Sequence, residues 1–234
     1  MEIQGYLFDK DGTLLQLDTY WLAFTEHVAR KVQEMLPGAR GEETLARLME
    51  LAGFDRQGKV IPESPVVAGT NEDIAVIWRD WLAGCGVRVP DGFVSDVTGW
   101  FWTDYEHGEV VPTTPKLVSI LRELKNRGCR IGVATSDYYD STCYCLEKLG
   151  ISGMIDAIYS ADRVAKPKPD PETARRACEA WGIPPESLVM VGDSENDMRF
   201  ARNAGCRGIY LSADGALPDG AQRCIASLDA LLDE

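Results

Sequence analysis

Asp9 and Asp11 stand two positions apart at the end of the apolar run Ile3, Gly5, Tyr6, Leu7, Phe8, and Gly12, Thr13 and Leu14 follow them. Such a run, ending in charge and then glycine, predicts a short buried strand that delivers both carboxylates to one site. If the strand continued, the two side chains would share a face. Gly12 instead permits a tight turn that brings the Asp11 carboxylate beside the site and its backbone carbonyl inward. Two like charges this close need a cation or a shared proton, because repulsion and desolvation otherwise raise one pKa. Magnesium, which takes carboxylate, carbonyl and water oxygens, fits best. The competing reading is a plain polar turn, since Asp and Gly favour turns anyway.

Three later stretches carry chemistry of a matching kind. Arg130 to Ala134 is apolar enough for a strand and ends in Thr135-Ser136-Asp137, where a hydroxyl and the next amides meet a helix N-terminus, a natural place for phosphate. Ordinary N-capping explains the same residues. In Val164-Ala165-Lys166-Pro167-Lys168-Pro169-Asp170-Pro171 the prolines bar a helix and hold a lysine in a stiff loop, where it offsets phosphate charge or is merely solvated. Leu188 to Val191 is a buried strand followed by Gly192-Asp193-Ser194-Glu195-Asn196-Asp197. Asp193 can complete a magnesium shell and Asp197 can hold Lys166 or a metal-bound water; a plain acidic helix start is the alternative.

The elements that must position these residues follow from periodicity. From Pro112 onward strand and helix alternate: a helix through Leu117 and Leu124, a strand Cys129 to Ala134, a helix Tyr138 to Leu149, a strand Met154 to Tyr159, a helix Pro171 to Trp181, then Leu188 to Val191, Asp197 to Ala204 and Arg207 to Leu211. This alternation predicts a doubly wound parallel sheet with the ligand site at the strands' C-terminal ends, and the first strand belongs to it. Residues 18–107 read as helical: Tyr20 to Leu36, Glu42 to Leu51, a capped start at Thr70-Asn71-Glu72-Asp73 running to Ala83, and Asp91 to Tyr105. Phe54 to Thr70 reads as a loop. Trp21, Trp78, Trp81, Trp100 and Trp102 read as core of this helical part rather than as a cofactor cage.

Composition closes off other classes. The 234 residues are 45% hydrophobic with a formal charge of −13, enough for a sizeable core and without a basic footprint for nucleic acid or anionic membrane. The seven cysteines form no Cys-x-x-Cys pair, and no hydrophobic secretory segment opens the chain, so the expected setting is a reducing cytoplasm. His27 and His107 are too few and too far apart for a zinc site.

Taken in order, Phe8 to Leu14, Thr135, Lys166-Pro167-Lys168-Pro169 and Gly192-Asp193 with Asp197 resemble the four signatures of the haloacid dehalogenase (HAD) superfamily of hydrolases. The resemblance implies an α/β fold, a doubly wound (Rossmann-like) parallel sheet core of residues 1–17 and 108–234 with an inserted α-helical cap of residues 18–107. It makes Asp9 the nucleophile and Asp11 the general acid and base. Thr135, Ser136 and Lys166 bind phosphate, with Lys168 in the variable position facing solvent. Asp9, Asp11 and Asp193 hold Mg2+, and Asp197 stands behind them. The branch resembled is that of phosphoglycolate phosphatase, so the expected activity is magnesium-dependent hydrolysis of a small phosphomonoester through an aspartyl-phosphate. Its partner would be a small phosphorylated metabolite, with no nucleic acid or membrane, and the chain a monomer or homodimer. Thr70 and Asn71 are the candidate substrate contacts of the cap. A sugar phosphomutase and a non-catalytic phosphate-binding module are the alternatives. Asp11 argues against dehalogenases and transport ATPases, and Thr13 against most mutases; a phosphonate-cleaving member would need a Schiff-base lysine such as Lys31 or Lys59.

Overall fold

The computed structural model describes residues 2–233. Its elements in chain order are β1 (Gly5–Phe8), α1 (Leu17–Met35), α2 (Glu42–Ala52), α3 (Pro65–Ala68), α4 (Asn71–Gly84), α5 (Phe93–Thr103), α6 (Leu117–Asn126), β2 (Arg130–Ala134), α7 (Tyr139–Lys148), β3 (Ala157–Tyr159), α8 (Glu172–Trp181), β4 (Leu188–Gly192), α9 (Glu195–Ala204), β5 (Arg207–Leu211) and β6 (Arg223–Ile225), joined by short 3-10 turns. The chain divides into two compact units, Met1–Gln16 with Val110–Glu234, and Leu17–Glu109. We call them the core unit and the helical insert.

In the core unit the strands form one all-parallel sheet in the order β3-β2-β1-β4-β5-β6. β1 and β4 are buried along their whole length, as continuous apolar strands covered on both faces must be. Leu7, Ala134, Leu188, Met190, Ala177 and Phe200 pack together between sheet and helices. Strand order reverses between β1 and β4, which leaves a crevice outside their C-terminal ends. Register fixes what meets there. Phe8 is opposite both Val133 and Val191, so the residues that follow β1, β2 and β4 emerge side by side. Two details depart from the sequence reading. Met154 belongs to a 3-10 turn, so β3 begins only at Ala157. β6 is an edge strand of three residues paired with β5, from Ile209 opposite Arg223 to Leu211 opposite Ile225.

The helical insert has an aromatic core. Trp78 is fully buried with its indole N–H on the Leu48 carbonyl at 2.8 Å, and Phe24 meets Phe101 edge to face at 5.5 Å. Trp102 does not join it: more than half of that side chain is exposed. The Phe54 to Thr70 stretch holds the single turn α3 and one bridge between Phe54 and Val60. α4 begins with a capping box, Thr70 Oγ1 accepting from the Asp73 amide at 3.1 Å while Asp73 Oδ2 accepts from the Thr70 amide at 2.8 Å. Among the described residues all seven cysteines are free thiols, and no helix is long and apolar enough to cross a membrane.

Candidate active site

The chain leaves the sheet immediately after β1. The Asp9 amide still donates to the Val191 carbonyl at 2.9 Å, and one residue later the Lys10 carbonyl accepts from the amides of Leu14 and Leu15 at 2.9 and 3.1 Å. Gly12 makes this turn with φ of +82°, and a Cβ there would run into the Asp193 carboxylate. The glycine is therefore required twice, for its conformation and for the approach of β4's acidic loop. Thr13, fully buried, reaches the same acid, its hydroxyl 3.4 Å from Asp193 Oδ1.

Asp9, Asp193 and Asp197 converge, one carboxylate oxygen from each lying within 4.8 Å of the others. The lysine that joins them is Lys168, not Lys166. Lys168 Nζ donates to Asp9 Oδ1 at 2.7 Å and to Asp197 Oδ1 at 2.6 Å, and its side chain is only 6% exposed. Lys166 is 71% exposed and lies 3.7 Å from Asp170 at the surface. The expectation that Lys166 faces the site and Lys168 faces solvent is thus reversed. The reason is how the loop is pinned. Glu172, at the start of α8, accepts from the amides of Ala165 and Lys166 at 3.3 and 3.0 Å. Asn196 and Asn203 of α9 donate to the carbonyls of Lys168 and Pro169 at 3.4 and 2.9 Å. The first pair ties residues 165–166 to α8; the second sets residue 168 beside Asp197.

Asp197 reconciles two readings of the sequence. It is the third residue of α9 and closes a capping box with Ser194, and it also accepts from Lys168. Its Oδ2 takes the Ser194 amide at 3.2 Å and hydroxyl at 2.6 Å. With both oxygens engaged, Asp197 is poorly placed to ligate a cation although it sits within the acidic cluster, and Asp9 and Asp193 are the better ligands.

Electrostatics supports that assignment. Burial pushes Asp9 up to about 7; Lys168 opposes this, while the charges of Asp197 and Asp11 add to it. Asp193 is pushed up to about 8 by burial and by the charges of Asp9 and Asp197. Burial works against the charged form of Lys168, but Asp197 and Asp9 outweigh it and raise its pKa above the ordinary lysine value. Two buried carboxylates and the half-buried Asp193, with a single ammonium on Asp9 and Asp197, are short of positive charge. A divalent cation on Asp9 and Asp193 would supply it, and the all-oxygen donor set suits a hard ion.

Thr135 follows β2 and is buried, its amide on the Tyr159 carbonyl at 3.0 Å and its hydroxyl accepting from the Asp137 amide at 3.0 Å. Ser136 lies in the bend between β2 and α7. Asp11 turns its Oδ1 to Lys10 Nζ at 2.7 Å. Strand alternation alone would point this lysine, between two site aspartates, to the opposite face. In the insert, Thr70 spends its hydroxyl on the capping box and Asn71 is the first residue of α4. Lys31, which a phosphonate-cleaving enzyme would need as an amine, is paired with Asp104 at 2.5 Å.

A family model described as haloacid dehalogenase-like hydrolase matches residues 3–205. Phosphoglycolate phosphatase of Cereibacter sphaeroides (strain ATCC 17025 / ATH 2.4.3) is 30% identical over 208 residues, 87% of this chain and 82% of that protein. Pyrophosphatase PpaX of Bacillus velezensis is 34% identical over 113 residues, a match that spans 47% of this chain and about half, 52%, of that protein's length. In fold, the chain is similar to a crystallised HAD-superfamily hydrolase of subfamily IA from Geobacter sulfurreducens PCA, with a TM-score of 0.69, 19% identity, and 99% and 95% of the two chains covered. The chain therefore belongs to the haloacid dehalogenase-like hydrolases and is an enzyme of that family, with relatives named as phosphoglycolate phosphatases.

Proposed function

We infer that the protein is a magnesium-dependent phosphatase acting on a small phosphomonoester, with phosphoglycolate the leading candidate. The observation that carries this reading is the convergence of Asp9, Asp193 and Asp197 at the C-terminal ends of β1 and β4, with Lys168 bridging Asp9 and Asp197 and Thr135 at the end of β2. Phosphoryl transfer needs little from a protein beyond positioning and charge, and these residues supply both. The substrate guess rests on the relative from Cereibacter sphaeroides that carries the phosphoglycolate phosphatase name.

Asp9 attacks phosphorus in line, the bond to the leaving oxygen breaks, and Asp11 gives that oxygen its proton. Water then attacks the aspartyl-phosphate, Asp11 takes the proton, and Asp9 is regenerated with release of inorganic phosphate. Lys168 holds the Asp9 carboxylate and offsets charge on the transferring group, while the Thr135 hydroxyl and the Ser136 amide receive phosphate oxygens. Asp9, Asp193 and the Asp11 carbonyl are the groups we assign to Mg2+, which when bound neutralises the acids and the phosphate. We assign the inserted helical unit the role of a cap that selects the leaving group. Thr70 and Asn71 remain its candidate substrate contacts, through backbone at the start of α4 rather than through the capping hydroxyl. We place the enzyme in the cytoplasm, its cysteines kept as thiols.

The test is an initial-rate screen of wild type and Asp9→Asn on phosphoglycolate, sugar phosphates, nucleotides and pyrophosphate, with Mg2+ and with chelator. One ester turned over far faster than the rest, and lost in both the variant and the chelated enzyme, establishes the reading and names the substrate. Release that persists in Asp9→Asn, or none on any phosphate, overturns it.

A further inference from the structure

We propose that Lys10 is the positioning residue of Asp11, locking in place the carboxyl group that trades a proton with the leaving oxygen. This rests on the phosphatase reading above. The Lys10 side chain is wholly buried, with Nζ 2.7 Å from Asp11 Oδ1 and 3.0 Å from Asp137 Oδ2. Adjacent residues on a strand point to opposite faces, so Lys10 can meet Asp11 only because the chain turns out of the sheet at the Lys10 carbonyl. An exposed ion pair between neighbours would be worth little; buried, with a second carboxylate on the same ammonium, it fixes geometry.

Asp137 makes that geometry rigid. Its Oδ2 accepts from the Ser141 hydroxyl at 2.6 Å and its Oδ1 from the Tyr138 amide at 2.7 Å. Its backbone donates to the Thr135 hydroxyl at 3.0 Å and accepts from the Ala161 amide at 3.0 Å. Lys10 therefore ties the Asp11 carboxylate to the β2–α7 junction, the same junction that holds Thr135. The acid and the phosphate-binding hydroxyl are registered against each other through one buried side chain.

In the first half-reaction the Asp9 oxygen bonds to phosphorus, the bond from phosphorus to the leaving oxygen breaks, and the proton on Asp11 passes to that oxygen to give the free alcohol. With Oδ1 held by Lys10, Oδ2 is the atom we assign to carry that proton. Esters whose leaving group departs without a proton do not need this placement; alkyl esters do. General acid catalysis is worth about 10²–10⁴-fold, which sets the size of the effect.

The experiment compares kcat/KM of wild type, Lys10→Met and Asp137→Asn on the alkyl phosphate turned over fastest in the screen above and on 2,4-dinitrophenyl phosphate. This ratio reads only the steps through loss of the leaving group. Lys10→Met is expected to lose about 100-fold on the alkyl ester and about threefold on the aryl ester. Asp137→Asn, which keeps the lysine, is expected to lose about tenfold on the alkyl ester and about twofold on the aryl one. Should Lys10→Met fail to fold, the Asp137→Asn ratio carries the same test. Equal losses on both esters, or no loss on the alkyl ester, overturn the role of Lys10 and leave the phosphatase reading standing. A wild type that hydrolyses no phosphate of the screen, or an Asp9→Asn that retains aryl-ester hydrolysis, overturns the phosphatase reading and this inference with it.

Discussion

Asp9 and Asp193 in the core unit and Asp104 in the helical insert are the same residue type in opposite circumstances. Asp104 is partly buried too, and burial is again the largest influence on it, yet it is held down at about 2 by Lys31, the Thr103 hydroxyl and His27. Its partners lie at 2.5, 2.6 and 3.1 Å. Asp9 and Asp193 are pushed up to about 7 and about 8 by burial first and then by the neighbouring acid charges, with Lys168, paired to Asp9 and Asp197, offsetting only part of it. A charge that is fully partnered inside its own unit is structure. A buried cluster left short of positive charge costs stability, and that cost marks where a ligand must bring the missing charge. Buried ionic side chains follow the same division: Asp9, Lys10 and Asp197 all lie in the core unit, while the buried polar residues described in the insert are Thr25 and Ser64.

The strongest way to break this contrast is to remove one acid from each side. Asp9→Asn should lower kcat by about 10⁴-fold or more, as loss of a nucleophile does. Asp104→Asn should leave kcat/KM within about twofold and instead cost about 1.5–3 kcal/mol in denaturant unfolding, the worth of a hydrogen bond to a charged group. A large catalytic loss in Asp104→Asn would erase the distinction.

The two lysines of the proline loop sharpen it next. Lys168→Met should lower kcat by about 10²–10³-fold through loss of charge stabilisation, whereas Lys166→Met should stay within about twofold. Steady-state kinetics on the best ester found in the screen decides between them.

Metal supply gives a smaller, thermodynamic effect. If Mg2+ fills the charge deficit, saturating it at about 100 times its dissociation constant should stabilise wild type by about 2.7 kcal/mol, and Asp193→Asn should lose most of that gain. Calorimetry with and without chelator measures it. Stabilisation that survives in Asp193→Asn would place the ion elsewhere.

The pH dependence of the metal-free protein is the smallest effect and has a definite sign. Asp9 and Asp193 are raised above 3.8 in the folded state, so their contribution to stability is full below about pH 4 and is lost as pH rises through 7 to 8. Asp104 is depressed to about 2, so its contribution is present above about pH 4 and is lost as pH falls through 2. The melting temperature in chelator should therefore fall from pH 5 to pH 8 and fall again toward pH 2. Asp9→Asn should flatten the first slope alone, and Asp104→Asn the second alone. The opposite pattern would mean that the acids of the core unit are already compensated without metal.

The sequence by itself determined the alternation of strand and helix in the core unit and the acids at the strand ends. Both are local: an apolar run long enough to be buried, then a polar residue released where the run stops. Asp9, Asp193 and Asp197 could be read in this way because Asp9 follows β1 and Asp193 and Asp197 follow β4 within a few residues. The capping box at Thr70 was legible for the same reason, since both its partners lie in one turn. Tertiary structure alone decided which lysine enters the site. Lys166 and Lys168 stand in the same loop with the same proline neighbours, and what separates them is Glu172 of α8 against Asn196 and Asn203 of α9, contacts between different elements that no local pattern encodes. It also decided β6, three residues with no strand signal of their own, and the burial of Lys10, which alternation assigns to the wrong face. Each of these depends on where a neighbouring segment, distant in sequence, happens to place its hydrogen-bonding groups, and that is fixed only when the sheet and its helices have packed.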